Sequence, residues 1–400
     1  MLIFLIIALS IPTLTLLWLV WAWHHTRKQG TLRLARMLPV AAALLFLGCY
    51  AWVFFQRGSD LPGLHPWLYA FVLIWALGVL PFLALPLAAG GILSSLWSRI
   101  RSRLQAQDRT ADPESTAAAH SRDLSRRTFL KGTLATIPPV AALGATAFSI
   151  PQARHFRVRE IVVPVEGLPS GLHGMSIAHI TDVHAAKFTR GRTLREIAKA
   201  TSDLGTDLVV NTGDLIDHRI ADLPEALDML EKIDSRLGVY SVEGNHDLFD
   251  DPQAFVDMFA ERGLPLLRDG SARIRHGGTD IDLLGIRWHG RNTTLADHVS
   301  AAAALRSNAA LPILLAHHPH AFDYSAEAGI PLTLAGHTHG GQIMITPRLG
   351  AANAMFRYWS GLYQENGCSL VVSNGAGNWF PLRTAAPAEI IRIELRRKEA

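Results

Sequence analysis

Five hydrophobic runs in this chain each end on residue types that bind metals, and they constrain the fold more than any other feature. Residues 331–335 run into Gly336-His337-Thr338-His339-Gly340-Gly341. Residues 175–180 run into Thr181-Asp182-Val183-His184, and residues 207–211 into Gly213-Asp214. Residues 238–242 lead into Gly244-Asn245-His246-Asp247, and residues 312–316 into His317-His318-Pro319. Short apolar runs bounded by glycine and polar residues read as buried strands. In an extended segment residues i and i+2 point the same way, so His337 and His339 face a common side. Between the runs, residues 193–204, 223–237, 252–262 and 295–305 carry apolar residues at helical spacing. Residues 156–164, 266–274, 281–286, 369–373 and 389–395 read as further strands. Strands alternating with helices, with ligand-type residues at the strand ends, predict an α/β layered domain over 152–398.

The ordered blocks D-x-H, G-D, G-N-H-D, H and G-H-x-H resemble the calcineurin-like metallophosphoesterase superfamily, over roughly residues 155–395. That resemblance implies a four-layer αββα sandwich and two divalent metal ions. It implies Asp182, His184, Asp214 and His339 as ligands of the first ion, and Asp214, Asn245, His317 and His337 as ligands of the second. Asp214 would bridge, since a carboxylate has two oxygens to share. His317 is chosen over His318 because in the family the ligand directly follows the strand. His246 resembles the family's non-ligand histidine, which assists the leaving oxygen, with Asp247 expected to orient it. A mixed carboxylate and imidazole set suits Mn, Fe or Zn better than Mg or Ca. Asn374, Asn378, Trp379 and Arg383 fall in a loop that in similar proteins packs near the site, where Arg383 is a candidate phosphate clamp or, equally, a surface residue. His179 reads as a core histidine, and His218, His289 and His320 as bystanders.

Ahead of this domain the composition changes. The 49% hydrophobic content is unevenly spread, with uncharged apolar stretches at 2–23, 37–56 and 67–97. Each reaches the roughly 20 apolar residues that a bilayer span needs, so residues 1–98 are expected to form three membrane helices. The loop 24–36 carries Arg27, Lys28, Arg33 and Arg36 and no acid; the basic stretch 99–124 is expected to be a cytoplasmic linker. Basic loops stay inside, which puts the N-terminus outside. Ser125-Arg126-Arg127-Thr128-Phe129-Leu130-Lys131 resembles a twin-arginine export signal, and a weakly apolar stretch follows to residue 150. A fourth ordinary span is the alternative, and either reading puts the domain on the outer, periplasmic face. Ala145-Thr146-Ala147 offers a small-residue cleavage site, with an uncleaved anchor preferred.

The excess of Lys and Arg lies before Gly132, and the remainder is mildly acidic. That remainder has no basic footprint for nucleic acid, and two cysteines make no disulfide framework. The sequence therefore predicts a two-metal phosphoesterase acting on phosphate mono- or diesters at the cell envelope, with a lipid-linked or wall-linked phosphate admitted by the location. The alternative is a degenerate metal-binding sensor module on a membrane anchor. Loss of ligands would mark it, and none is lost.

Overall fold

The computed structural model describes residues 2–27, 33–55, 64–107, 134–152, 155–289, 292–350 and 352–398. The chain divides into two compact units, Met1–Ile150 and Pro151–Ala400.

The first unit is helical. Helices cover Leu2–Arg27 and Arg33–Phe55. A longer helix starts at Pro66, passes through π-helical geometry over Ile74–Ala84 and returns to α geometry over Leu85–Gln107. Pro81 sits inside the π stretch. A proline withholds its N–H and presses on the carbonyl four residues back, and a widened turn accommodates both effects. Trp75 in the same stretch donates from Nε1 to Thr15 Oγ1 at 3.1 Å. Among the described residues, two helices are long and apolar enough to cross a membrane, Pro66–Leu104 and Leu134–Gln152. Met37–Val53 is an apolar helix shorter than a span. Among the described residues, Pro66–Leu104 thus covers one of the three spans expected before residue 99. The twin-arginine-like element at 125–131, and the linker from 108 onward, lie outside the described residues.

Among its described residues the second unit holds thirteen strands: β1 Phe156–Val165, β2 Ser176–Ile180, β3 Leu208–Asn211, β4 Val239–Ser241, β5 Gly270–His276, β6 Thr279–Gly285, β7 Leu311–Leu315, β8 Leu332–Ala335, β9 Met344–Thr346, β10 Leu349–Gly350, β11 Gly361–Glu365, β12 Cys368–Val372 and β13 Ala388–Arg397. One sheet has the order β1-β13-β2-β3-β4 and the other β11-β12-β8-β7-β6-β5, with β9 and β10 forming a separate hairpin. The two large sheets face each other through one core. Val163, Ile177, Leu208, Val210 and Ile393 from the first sheet are buried against Ile281, Leu283, Ile313, Leu334 and Val371 from the second.

The outer faces are covered by helices. Leu194 and Ile197 of helix Arg192–Asp203, Leu227 and Leu230 of Leu223–Glu231, and Phe255 and Phe259 of Pro252–Glu261 pack on Ala178, Ile180 and Val209. Val299 and Ala302 of helix Asn292–Ala304 pack on Leu284 and Leu314. Phe322 of Ala321–Glu327 packs on Ala335 and Leu370. The layers thus run helix, sheet, sheet, helix. Each sheet is buried on both faces, which is why its central strands read as continuous apolar runs rather than alternating ones.

Two boundaries fall short of the sequence expectation by four residues or more. The helix expected over 223–237 stops at Glu231, where the chain turns and Ser202 Oγ takes the N–H of Asp234 at 2.9 Å. The strand expected from residue 266 starts at Gly270. Strands β2, β3 and β4 are mutually parallel, as are β7 and β8. The C-terminal ends of these five strands carry all the candidate ligands.

A candidate two-metal site

Three of the five ligand runs leave their strands through a backbone conformation that side-chain-bearing residues seldom adopt. Asp182, His184, Asp214, His337 and His339 all have positive φ, between 46° and 72°. Such a conformation costs on the order of 1–3 kcal/mol per residue and persists only where the surroundings enforce it. The left-handed turns fold the side chains back toward one another over the strand ends.

They meet in two groups. Asp182, His184 and His339 bring one donor atom each within 4.8 Å of the others, and so do Asp214, His317 and His337. In the first group His184 Nε2 and His339 Nε2 are 3.1 Å apart, and Asp182 Oδ1 is 3.3 Å from His339 Nε2. In the second, His317 Nε2 is 3.2 Å from His337 Nδ1 and 3.1 Å from Asp214 Oδ2. The same Asp214 oxygen lies 3.7 Å from His184 Nε2. One carboxylate oxygen therefore stands between the two groups, while Asp214 Oδ1 is held by the His246 N–H at 2.8 Å.

The donor chemistry fits divalent cations. Ring nitrogens face one another in pairs with carboxylate oxygens beside them, an arrangement that a cation completes and a hydrogen-bond network does not. Asn245 Oδ1 is buried beside them without a hydrogen-bond partner. Burial pushes the Asp182 carboxyl above its ordinary range, a desolvation cost that a nearby cation cancels. Burial likewise holds His337 and His339 well below the usual imidazole range, so both offer neutral lone pairs. For His317 burial opposes the charged ring, but Asp214 overrides it and lifts the ring to about 9.

Two glycines make room for this cluster. A Cβ on Gly336 would stand 2.2 Å from Asp182 Oδ2 and Thr181 Oγ1, and one on Gly244 would stand 2.2 Å from Asp214 Oδ1. No real Cβ contact is that short. Gly336→Ala should therefore displace the Asp182 carboxylate and lower the metal retained per chain. Metal analysis of the purified variant checks this, and retention at the parent level with parent activity would refute it.

The structure also corrects roles expected from the sequence. Asp247 does not orient His246. It is buried, and its two oxygens accept N–H bonds from Ile216 at 3.0 Å and Gly244 at 2.9 Å, tying two ligand loops together. Burial and the nearby Asp214 raise its carboxyl to about 7. His246 is held instead by Asp217, whose backbone carbonyl accepts from Nδ1 at 2.5 Å and whose Oδ1 lies 3.5 Å away. Asp217 Oδ1 also lies 3.4 Å from His184 Nδ1. Asp217 was not singled out from the sequence; its one signal is an acid three residues after Asp214.

Arg383 is neither a phosphate clamp nor a surface residue. It is buried, with its guanidinium on Asn378 Oδ1 at 2.6 Å and on the carbonyls of Gly377, Asn374, Ala386 and His339. Its Nη2 lies 3.0 Å from His339 Nδ1, so Arg383 fixes the loop that backs a ligand. Trp379 reaches the cluster, 6.4 Å from His339 and 6.5 Å from His246 between ring centres. Trp288, unnoticed in the sequence, covers the other side at 5.4 Å from His317 and 5.1 Å from His337. His318 lies 5.8 Å from the same indole and accepts from the His320 N–H at 3.1 Å. His179 bonds Thr212 Oγ1 at 2.8 Å inside the core, and His218 lies against Phe249. His289 stacks on His298, 3.5 Å apart and 15° from parallel. Rings stacked in that way cannot both aim a lone pair at one ion, although Asp269 lies beside them.

Comparison with known proteins supports a calcineurin-like assignment. Residues 175–341 match the family described as calcineurin-like phosphoesterase. The chain is similar to a transmembrane protein with metallophosphoesterase domain from Danio rerio, 28% identical over 60% of this chain and 57% of that one. An uncharacterized metallophosphoesterase from Helicobacter pylori strain J99 is 30% identical over 55% of this chain and 60% of its own. The uncharacterized metallophosphoesterase YkuE from Bacillus subtilis is 26% identical over 69% of this chain and 99% of its own. The chain thus spans less than two thirds of the length of the first two relatives. These matches support membership of the calcineurin-like metallophosphoesterase superfamily, and the likeness of residues 175–341 to a calcineurin-like phosphoesterase is consistent with a metal-dependent hydrolase.

Proposed function

We propose that the chain is a membrane-held, two-metal phosphoesterase that hydrolyses phosphate mono- or diesters, with its catalytic unit on the outer face of the cytoplasmic membrane. The observation that carries the chemistry is the position of Asp214 Oδ2, within 3.7 Å of both ligand groups, which joins them into one site. In this reading Asp182, His184, His339 and Asp214 hold one cation, and Asp214, Asn245, His317 and His337 hold the other. Two divalent cations there would neutralise the phosphoryl oxygens and supply an acidified water.

The chain's own residues do the rest. Asp217 accepts the Nδ1 proton of His246 through its carbonyl and so fixes the ring, leaving Nε2 to serve the leaving oxygen. Asp247 locks the 213–217 and 244–247 loops to one another. Arg383 braces His339, and Trp288 and Trp379 wall the cluster and limit water around the reacting ester. Complete ligand groups favour catalysis over a sensor module that has lost its chemistry.

A panel of aryl phosphate mono- and diesters, offered to the full chain in lipid nanodiscs after chelation and re-addition of Mn, Fe, Zn, Mg or Ca, tests the activity. Metal-dependent turnover of at least one ester is expected, with Mn, Fe or Zn ahead of Mg and Ca. Two bound equivalents with no turnover of any ester would move the protein to the sensor class.

The location proposed is supported by the apolar helices Pro66–Leu104 and Leu134–Gln152, the basic loops and the 125–131 element. Protease added to intact spheroplasts is expected to degrade the domain, and the Arg126→Lys, Arg127→Lys pair to leave it protected inside. Protection of the unaltered chain would refute the outward orientation.

A further inference from the structure

The metal-ligand loop runs straight into a hairpin and a short helix that carry exposed apolar side chains. The hairpin root is well built. Met344 is buried with Ala352 and Ala386, and Phe356 and Trp359 pack against them. Backbone bonds from Met344 N to Thr384 O and from Thr384 N to Gln342 O, both 3.0 Å, tie the hairpin to the segment after Arg383. Around that root the segment is exposed. Ile343 and Ile345 on one face, Leu349 on the other, and Met355 at the end of the short helix Ala352–Met355 are 43%, 78%, 55% and 67% exposed. Among the described residues of 155–398, these are four of eight exposed large apolar side chains, gathered into thirteen positions. A concentration of that kind marks a docking face.

Two observations select the partner. First, the hairpin root is tied to the opening residues of the second unit, which follow the apolar stretch 134–150 in sequence. Gln152 Oε1 accepts the N–H of Arg383 at 2.8 Å, one residue before Thr384. Second, the charge is one-sided. Residues 328–364 contain no Asp or Glu but do contain Arg348, at the hairpin turn, and Arg357. Arg357 is paired with Asp323 and Glu365, whereas Arg348 makes no ion pair among the described residues. Exposed apolar side chains around an arginine suit an interface with anionic lipid headgroups.

We infer that residues 343–355 dock on the bilayer surface and seat the metal-ligand loop at headgroup level, so that the esters served are those of amphiphiles lying in that surface. The inference rests on the membrane-held reading above. His339 is four residues before Ile343, so a hairpin embedded at the interface keeps the site within reach of a lipid phosphate without extraction of the lipid.

The test uses the full chain in vesicles of phosphatidylcholine with phosphatidylglycerol. An environment-sensitive dye is placed on Ile345→Cys, on Met355→Cys or, as a control outside the hairpin, on Lys199→Cys. The natural Cys49 and Cys368 are buried and do not compete for the dye. Interfacial side chains enter by about 5–10 Å, so positions 345 and 355 should be quenched by lipid spin-labelled near the headgroup. Quenching by lipid labelled at the chain end should be weaker, and position 199 should be unaffected. Adding Ile345→Glu and Leu349→Glu should abolish quenching at 355. No quenching at 345 in a chain that resists carbonate extraction would overturn the docking element and leave the membrane-held reading standing. A chain that carbonate strips from the vesicles would overturn both. Shielding at 345 that is independent of labelled lipid and disappears at one chain per vesicle would assign the face to a second copy and overturn the inference.

Discussion

Asp214→Asn should empty both cation sites at once and take the activity with it. Asp214 Oδ2 stands 3.1 Å from His317 Nε2 and 3.7 Å from His184 Nε2, so its charge serves both ligand groups. His317 and His184 hold this carboxyl well below its usual range despite the burial that opposes ionisation. The amide keeps the shape and the oxygen but removes the charge. The two groups would then hold two dications with one carboxylate, Asp182, between them. Removing a hydrogen-bond partner behind a ligand already costs about 10–100-fold in metal affinity, and loss of the shared ligand itself should cost more. Asp217→Asn is the calibrating variant. It alters a group behind His184 and His246, so it should lower metal affinity within that range and leave measurable activity. Metal stoichiometry by elemental analysis and rates at saturating metal separate the two variants. An Asp214→Asn chain that keeps two equivalents and normal turnover would refute the shared-ligand assignment.

The candidate ligands that the fold brings together could be picked out because each combines two independent signals, a metal-binding residue type and a position at the end of an apolar run. The central strands were legible for the same reason, since burial on both faces leaves continuous runs such as 311–315 and 332–335. What could not be read was which loop side chain touches which. Asp247 follows His246 in sequence, yet its oxygens are consumed by the N–H groups of Gly244 and Ile216. Adjacent loop residues point apart, and backbone donors compete for a carboxylate. Asp217 reaches His246 only because the loops after β3 and β4 run side by side, which no periodicity announces. Arg383 had the residue type of a phosphate clamp, but its guanidinium spans carbonyls of a loop that closes around it. The β9–β10 hairpin was missed because Pro347 interrupts a short apolar run, a pattern that argues against strand.

His246→Ala should separate chemistry from metal binding. The ring belongs to neither the Asp182–His184–His339 nor the Asp214–His317–His337 group; it clusters instead with His184 and Asp217, and its Nδ1 is committed to the Asp217 carbonyl at 2.5 Å. Its Nε2 is thereby free to give a proton, or a hydrogen bond, to the departing oxygen. Help of this kind is worth about 10²–10⁴-fold, so the variant should lose that much rate on esters with poorly acidic leaving groups. The loss should shrink steadily as the leaving group becomes more acidic, because an oxygen that departs readily as an anion needs no proton. Metal content should stay at the parent level. His337→Ala should do the opposite, losing metal and slowing every leaving group alike, since the ligand acts before any bond breaks. The contrast is read from rates across aryl phosphates of graded leaving-group acidity, with metal stoichiometry measured on the same samples. Metal loss in His246→Ala would make His246 a ligand. Equal slowing across the series with metal intact would transfer its role from the leaving oxygen to the charge that develops on the phosphoryl group.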